Sequence, residues 1–166
     1  MKKLKIAGYQ GDGSVHTRSV KFFIDKLSDY FDISFDQDIT EKGQKAASLI
    51  EMTMNNEIQM SYLWSSYYEK YIPEIKLLDL PFYFENKNEV KNLINKNLQP
   101  YVSIELIKKN NLNLLGFWDN GSRHISTNKN IIKNQNSCKN LKIRTTPSPL
   151  HINVFNELGF ISKPLD

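Results

Sequence analysis

The sequence predicts an α/β fold with a largely parallel β-sheet covered by helices. Strand-like and helix-like segments alternate along the chain, as in parallel sheets joined by helical crossovers. Hydrophobic residues make up 40% of the 166 residues and charged residues 24%, the balance of a globular protein. No apolar run approaches the roughly 20 residues that a membrane-spanning helix needs. This length is enough for one ordinary domain with a sizeable core.

The N-terminal part of the chain has the order βαβαβ. Apolar spacing predicts strands at 3–9, 31–35 and 58–64 and helices at 20–31 and 46–54. Gly11 and Gly13 break the first strand into a turn, after which Ser14 or Thr17 caps the first helix.

The C-terminal part is predicted to add three helices and three short strands. Pro73 and Pro81 disfavour a helix through the apolar segment that they bracket, so this segment is expected to be extended. The last helix is the best delimited, with Ser148 as N-cap, Pro149 in the first turn and Gly159 beyond its end. The other predicted elements are helices at 90–98 and 102–109 and strands at 112–118, 125–127 and 141–145.

Charge and cysteine content set only loose limits on function. Lys and Arg number 22 against 18 acidic residues, and this net charge of +4 favours anionic partners without identifying one; nucleic-acid binding is not indicated. Cys138 is the only cysteine, so no internal disulfide can form. The N-terminus lacks a signal-peptide apolar core, so if the protein is exported, its signal is expected to lie outside this sequence.

Local motifs give no positive support for catalysis. The cluster of Gly8, Gly11 and Gly13 matches neither the dinucleotide fingerprint nor a Walker loop, and a plain turn is the simpler interpretation, although a helix N-terminus facing a small anion stays open. The three histidines and the cysteine show no zinc-binding spacing, and there is no nucleophile-elbow motif. We therefore expect no enzyme activity, no cofactor and no metal.

Arg123 and Arg144 are candidates for anion binding. Apart from Arg18 they are the only arginines in a chain that otherwise uses lysine, and a guanidinium holds a carboxylate through two parallel hydrogen bonds. Arg144 also precedes the N-terminus of the Ser148-capped helix, whose dipole favours an anion. A surface or interdomain ion pair is the alternative for both side chains.

Aromatic residues cluster near the predicted strand ends. They either line an apolar pocket wall or belong to the core, and the sequence leaves both open for Trp64, Tyr67, Tyr68 and Trp118.

Three stretches together resemble the solute-binding proteins of tripartite ATP-independent periplasmic (TRAP) transporters, of the dicarboxylate-binding-protein type. The first is Tyr-Ile-Pro-Glu at 71–74 with Leu-Asp-Leu-Pro-Phe-Tyr-Phe at 78–84. The second is Gly-Phe-Trp-Asp-Asn-Gly-Ser-Arg-His at 116–124, and the third is Leu-Lys-Ile-Arg-Thr-Thr-Pro-Ser-Pro at 141–149. Their order and separations resemble the family over essentially the whole chain. The segment 131–140 departs from the family's usual Pro-Ile-Lys-Thr-Pro-Glu-Asp-Leu-Lys-Gly run.

The resemblance implies a type II periplasmic-binding-protein fold, whose two lobes close on a ligand. This chain would supply most of lobe one, at 1–121, and the start of lobe two, at 122–166, with the C-terminal half of the family fold absent. The implied function is that of a periplasmic solute-binding subunit, not an enzyme. It captures a small organic carboxylate and delivers it to the membrane permease subunits, without a cofactor. By itself the chain is expected to expose apolar surface and to bind ligand weakly.

The resemblance also implies ligand-binding residues. Arg144 corresponds to the family's usual partner for the ligand carboxylate, and Arg123 lies beside it. Asn120 and Pro147 belong to the same two segments. The end of the first strand and the strand before the Tyr-Ile-Pro-Glu segment contribute the remaining candidates, which are Gln10, His16, Trp64 and Ser65.

Two other functions remain as alternatives at this point. A sensory or regulatory ligand-binding module of the same fold would be fused to a signalling or DNA-binding domain. A metabolic α/β enzyme would use the first glycine turn to hold a phosphate.

Overall fold

A computed structural model describes residues 1–128 and 131–165 and divides the chain into two compact units. Unit one consists of Met1–Lys70 and Glu105–Asn113, and unit two of Tyr71–Ile104 and Leu114–Asp166. The lobe boundary expected at Gly121 concerns the family fold as a whole, and it stays a prediction.

Unit one contains a parallel three-stranded sheet. The strands are β1 (Lys2–Ala7), β2 (Phe31–Asp36) and β3 (Met60–Ser61), and their order is β2-β1-β3. Ile6 pairs with Phe35 on one side and with Met60 on the other, so β1 is the central strand. Both Ile6 and Ala7 are buried, as expected where a parallel sheet is covered on both faces. The predicted βαβαβ order is confirmed here.

Two helices cover this sheet. Helix α1 (Val15–Leu27) begins at Ser14, whose side chain accepts a hydrogen bond from the backbone N–H of His16, and α2 is Ser48–Met54. Short 3₁₀ helices lie at Ile39–Lys42 and Ser65–Tyr68. A cluster of apolar side chains around the end of β1 forms a core, consisting of Ala7, Ile39, Leu49 and Ile58.

Unit two contains a smaller parallel pair, β4 (Lys142–Thr145) with β5 (Ile161–Pro164), connected through helix α5 (Pro149–Glu157). Ser148 is the N-cap of α5, and Gly159 beyond its end has φ of +94°, a left-handed conformation that glycine adopts without strain. The predicted boundaries of this helix are therefore confirmed. The remaining helices are α3 (Lys87–Leu93), a π-helical turn at Ile94–Leu98, and α4 (Gln99–Asn110), whose second half belongs to unit one.

Several predicted elements differ from the structure. The segments 112–118 and 125–127 form no strand; Leu115 is 72% exposed and Ile125 is also exposed, whereas Leu112 is buried. The strand predicted at 58–64 pairs with β1 only through the two residues of β3.

Pro73 does not prevent a helix but begins the 3₁₀ helix Pro73–Asp79, because the first position of a helix needs no backbone N–H. Strand β5 was not predicted.

No helix in the described part of the chain combines the length and the apolar character that crossing a membrane requires.

Candidate functional site

A connected set of polar side chains lies where β1 leads into α1 in unit one. The Gln10 side-chain oxygen Oε1 lies 2.6 Å from Ser14 Oγ and 3.1 Å from His16 Nδ1. The Ser14 hydroxyl also accepts the His16 backbone N–H at 3.1 Å, which is the cap of α1. The structure thus brings together two of the predicted site residues, Gln10 and His16, through a serine that the sequence suggested only as a cap.

Thr17 and Tyr62 extend this set into the interior of unit one. The buried Thr17 hydroxyl donates to the Gln10 backbone carbonyl at 2.5 Å and lies 3.2 Å from the Tyr62 hydroxyl. The His16 ring is stacked on Tyr62, with ring centroids 6.1 Å apart. These contacts fix the backbone of Gln10 and the plane of His16. No sequence pattern singles out Tyr62 beyond its place in the strand predicted at 58–64.

Tyrosine rings surround the same strand ends. Tyr9 lies 5.8 Å from Tyr62 and 6.1 Å edge-to-face from Tyr67, measured between ring centroids. Burial raises the pKa of Tyr9, and the nearby Tyr67 raises it further. Burial also raises the pKa of Tyr62, while the hydrogen bond to Thr17 opposes that shift. Both phenols are therefore neutral hydrogen-bonding groups at physiological pH.

Trp64 and Ser65 follow β3. Both are half-buried, and Ser65 begins the 3₁₀ helix Ser65–Tyr68. The Trp64 indole contacts the ring of Tyr67 edge-to-face, with centroids 6.0 Å apart. Trp64 is thus part of the aromatic group around Tyr9, with a partly exposed side chain rather than a core position.

Arg144 is the cationic candidate in unit two. It lies on β4, its side chain is exposed, and among residues 1–128 and 131–165 no hydrogen bond or ion pair to its guanidinium is found. The adjacent Thr145 is 3% exposed, and its hydroxyl oxygen has no partner in this same part of the chain. Pro147, which follows shortly after, is exposed. For Arg144 the described residues therefore do not provide the surface ion pair that was the alternative to ligand binding.

The segment that holds Asn120 and Arg123 turns at Gly121. Gly121 has φ of +77° and donates its N–H to the Asp119 carboxylate at 2.7 Å, while Lys87 lies 3.2 Å from the other carboxylate oxygen. The Gly121 hydrogen bond lowers the pKa of Asp119, and Lys87 lowers it further. Asn120 and Arg123 are both exposed on this turn.

A buried histidine supports the chain between β4 and α5. His151 on α5 is 6% exposed, and its Nδ1 lies 2.7 Å from the Thr146 hydroxyl. Its Nε2 lies 3.9 Å from a carboxylate oxygen of Asp79, which is also largely buried. The Thr146 contact fixes the loop that follows Arg144. Within the described residues, no three His, Cys, Asp or Glu side chains are grouped so that they could hold a metal ion.

Solved structures identify the fold class. Structures of TRAP periplasmic solute-binding proteins superpose on this chain, and the sugar acid binding protein of Advenella mimigardefordensis, solved with galactonate, does so with a TM-score of 0.86 at 20% identity. The match covers 99% of this chain and 54% of that structure. The expected type II periplasmic-binding-protein fold is therefore confirmed.

The sequence comparison identifies the family. The model of the bacterial extracellular solute-binding protein family 7 (DctP) matches residues 12–166, and the chain belongs to that family. The resemblance to its N-terminal portion, expected from the three sequence stretches, is thereby confirmed.

Curated relatives extend well beyond the matched part. A solute-binding protein of Verminephrobacter eiseniae is 31% identical over 57% of this chain and 28% of its own length. The C4-dicarboxylate-binding protein DctB of Bacillus subtilis is 31% identical over 66% of this chain and 31% of its own length. The chain thus spans less than two thirds of the relatives that it matches.

Proposed function

We propose that this chain belongs to the periplasmic solute-binding subunit of a TRAP transporter, which captures a small organic carboxylate and delivers it to the membrane permease subunits. In this proposal the protein is not an enzyme and needs no cofactor. Family membership and fold support the class of function. The lobes would divide near Gly121, as the resemblance implies.

The choice of ligand rests on one observation. The Arg144 guanidinium on β4 is exposed and forms no ion pair with an acidic side chain among the described residues. A guanidinium without a protein partner can donate two parallel hydrogen bonds to a carboxylate. Two of the similar proteins agree in this group, since galactonate in the Advenella mimigardefordensis structure and the C4-dicarboxylates named for DctB both carry a carboxylate. We therefore assign Arg144 as the main carboxylate-binding residue.

The other predicted site residues take supporting roles in this proposal. The exposed Arg123 and Asn120 lie on the turn around Gly121, and Pro147 lies on the loop after Arg144. Gln10 supplies a neutral amide for an oxygen atom of the ligand, and His16 supplies a ring nitrogen. Trp64 and Ser65, both half-buried, supply apolar surface and a hydroxyl.

A thermal-shift screen tests this proposed function. Galactonate and succinate are added at millimolar concentrations so that weak binding is detected, with galactose as a neutral control. Ligand at one hundred times its Kd stabilises the folded state by about 2.7 kcal/mol, so we expect a clear rise in Tm with one of the acids and none with galactose. The proposal is wrong if neither acid raises Tm, or if the protein chemically converts the acid that it binds.

A further inference from the structure

We propose that Ser14 and His16 are positioning residues that hold the Gln10 side-chain amide with its two N–H groups available to an oxygen atom of the ligand. This inference deepens the proposed solute-binding function and rests on it. Its new content is the orientation of the Gln10 amide and the role of Ser14 and His16 in holding it.

The hydrogen bonds of Ser14 orient the Gln10 side-chain amide. The Ser14 oxygen accepts the His16 backbone N–H at 3.1 Å, so the hydroxyl proton is available for a second bond. The nearest acceptor is Gln10 Oε1 at 2.6 Å, a normal O–H···O distance. In the structure the Gln10 oxygen, and not its nitrogen, faces Ser14.

His16 occupies the second acceptor position of the same oxygen. Its Nδ1 lies 3.1 Å from Gln10 Oε1, and because an amide oxygen only accepts hydrogen bonds, the proton of that bond must be on Nδ1. Neutral His16 is therefore the Nδ1–H tautomer. Stacking of its ring on Tyr62, at an interplanar angle of 22°, holds the imidazole plane in place for this contact.

The remaining groups of Gln10 are also satisfied, apart from the amide nitrogen. The backbone N–H donates to Gln37 at 3.3 Å, and the backbone carbonyl accepts from Thr17 at 2.5 Å. No hydrogen bond from the side-chain nitrogen is found within residues 1–128 and 131–165, although the residue is half-buried. A fixed amide with two unused donors is suited to a hydroxyl, carbonyl or carboxylate oxygen.

The tautomer of His16 can be measured without any ligand. Long-range ¹H–¹⁵N NMR at a pH where the ring is neutral should show a protonated Nδ1 and an unprotonated Nε2. In Gln10→Leu the acceptor is gone, and His16 should revert to the Nε2–H form that is preferred in free histidine. The exposed His124 is the internal control and should not change. A dominant Nε2–H form in the unaltered protein would overturn the proposed orientation.

Affinity for galactonate and succinate tests the consequence for the ligand. Ser14→Ala should weaken binding of the acid that the protein takes about fivefold to tenfold, the size of one lost hydrogen bond. Ser14→Thr should restore it, because the hydroxyl is retained. Ser19→Ala removes an exposed hydroxyl from the same helix and should have no effect.

A double-mutant cycle separates positioning from general destabilisation. If Ser14 acts through Gln10, Ser14→Ala should cause no further loss of affinity in a Gln10→Leu background. Additive losses, with normal binding by the unaltered protein, would overturn this inference alone. Failure of the unaltered protein to bind either acid would instead overturn the proposed function.

Discussion

Arg144 and Lys163 are register partners in the parallel strand pair β4–β5, and both side chains are exposed. Neighbouring side chains in register project from the same face of a sheet, so two positive charges lie side by side. Like charges in this arrangement destabilise the sheet unless an anion lies close to both. This pair is a second reason, beside the guanidinium itself, to expect an anionic ligand near β4.

Lys163 should therefore contribute to ligand affinity through its charge. We expect Lys163→Ala to weaken binding of the carboxylate ligand about twofold to fivefold at low salt, because an exposed charge contributes up to about 1 kcal/mol. The difference should shrink at high salt, where the charge is screened. Titration calorimetry at two salt concentrations measures both effects. Lys2→Ala, an exposed lysine on β1, is the control, and equal affinities for Lys163→Ala and the unaltered protein at low salt would contradict this prediction.

Gly8 should tolerate no side chain, because Tyr62 lies against it. A Cβ atom at Gly8 would lie 2.3 Å from Tyr62 Cε1, so the ring, which contacts Thr17 and His16, would have to shift. We expect Gly8→Ala to lower the free energy of unfolding by about 1–3 kcal/mol, as overpacking commonly does. Urea unfolding followed by circular dichroism measures this change.

Gly11→Ala is the matched control for this substitution. A Cβ atom at Gly11 meets no atom within 4 Å, so its replacement should be close to neutral or should stabilise the protein slightly. Equal stability of the Gly8→Ala and Gly11→Ala variants would show that the Tyr62 ring adapts at no cost.

The buried tyrosines should make the protein less stable at alkaline pH. Burial raises the pKa of both Tyr9 and Tyr62 in the folded state, whereas an unfolded tyrosine has a pKa of about 10. Below about pH 10 both states keep the phenol protons, and stability does not depend on them. Above that pH the unfolded chain releases its protons first, so stability falls as the pH rises through the folded-state pKa values.

Thermal unfolding between pH 9 and 11 measures this loss. Tyr9→Phe and Tyr62→Phe should each reduce the slope of Tm against pH in this range. Tyr30→Phe, which replaces a residue that is 70% exposed, should leave the slope unchanged. If all three variants give the same slope as the unaltered protein, the tyrosines are not the cause.

The Thr146 hydroxyl should stabilise unit two through the buried His151. Thr146→Val keeps the shape of the side chain but removes the partner 2.7 Å from His151 Nδ1. An unpaired buried polar group costs about 1–3 kcal/mol, and chemical unfolding should show a loss of this size. An unchanged free energy of unfolding would mean that another group or a water molecule replaces the lost contact.

Much of the fold could be predicted from periodicity and end signals. The strands at β1 and β2 and helix α5 lie where their apolar spacing and caps placed them, because each has a pattern long enough to be read locally. The segment 112–118 has the composition of a strand but forms none, since a strand also needs a neighbour to pair with. Strand β5 contains Pro164 and has only four residues, too short a pattern to stand out.

The candidate site was predictable only in part. Arg144 could be singled out because arginine is rare in this chain and because the surrounding Leu-Lys-Ile-Arg segment resembles a family motif. The pairing of Arg144 with Lys163 depends on the register of two strands separated by a helix, which no local pattern specifies. Likewise, the contact between Tyr62 and Thr17 joins residues that are 45 positions apart, and no local spacing of residues predicts it.

Calorimetric titration of Arg144→Lys with galactonate and succinate tests whether the Arg144 guanidinium binds the ligand carboxylate. Lysine retains the charge but cannot donate two parallel hydrogen bonds to a carboxylate, so we predict at least a tenfold loss of affinity for the acid that the unaltered protein binds. Arg18→Lys makes the same chemical change at an exposed position in unit one and should retain full affinity. Undiminished carboxylate binding by Arg144→Lys would contradict the assignment of Arg144 as the carboxylate-binding residue.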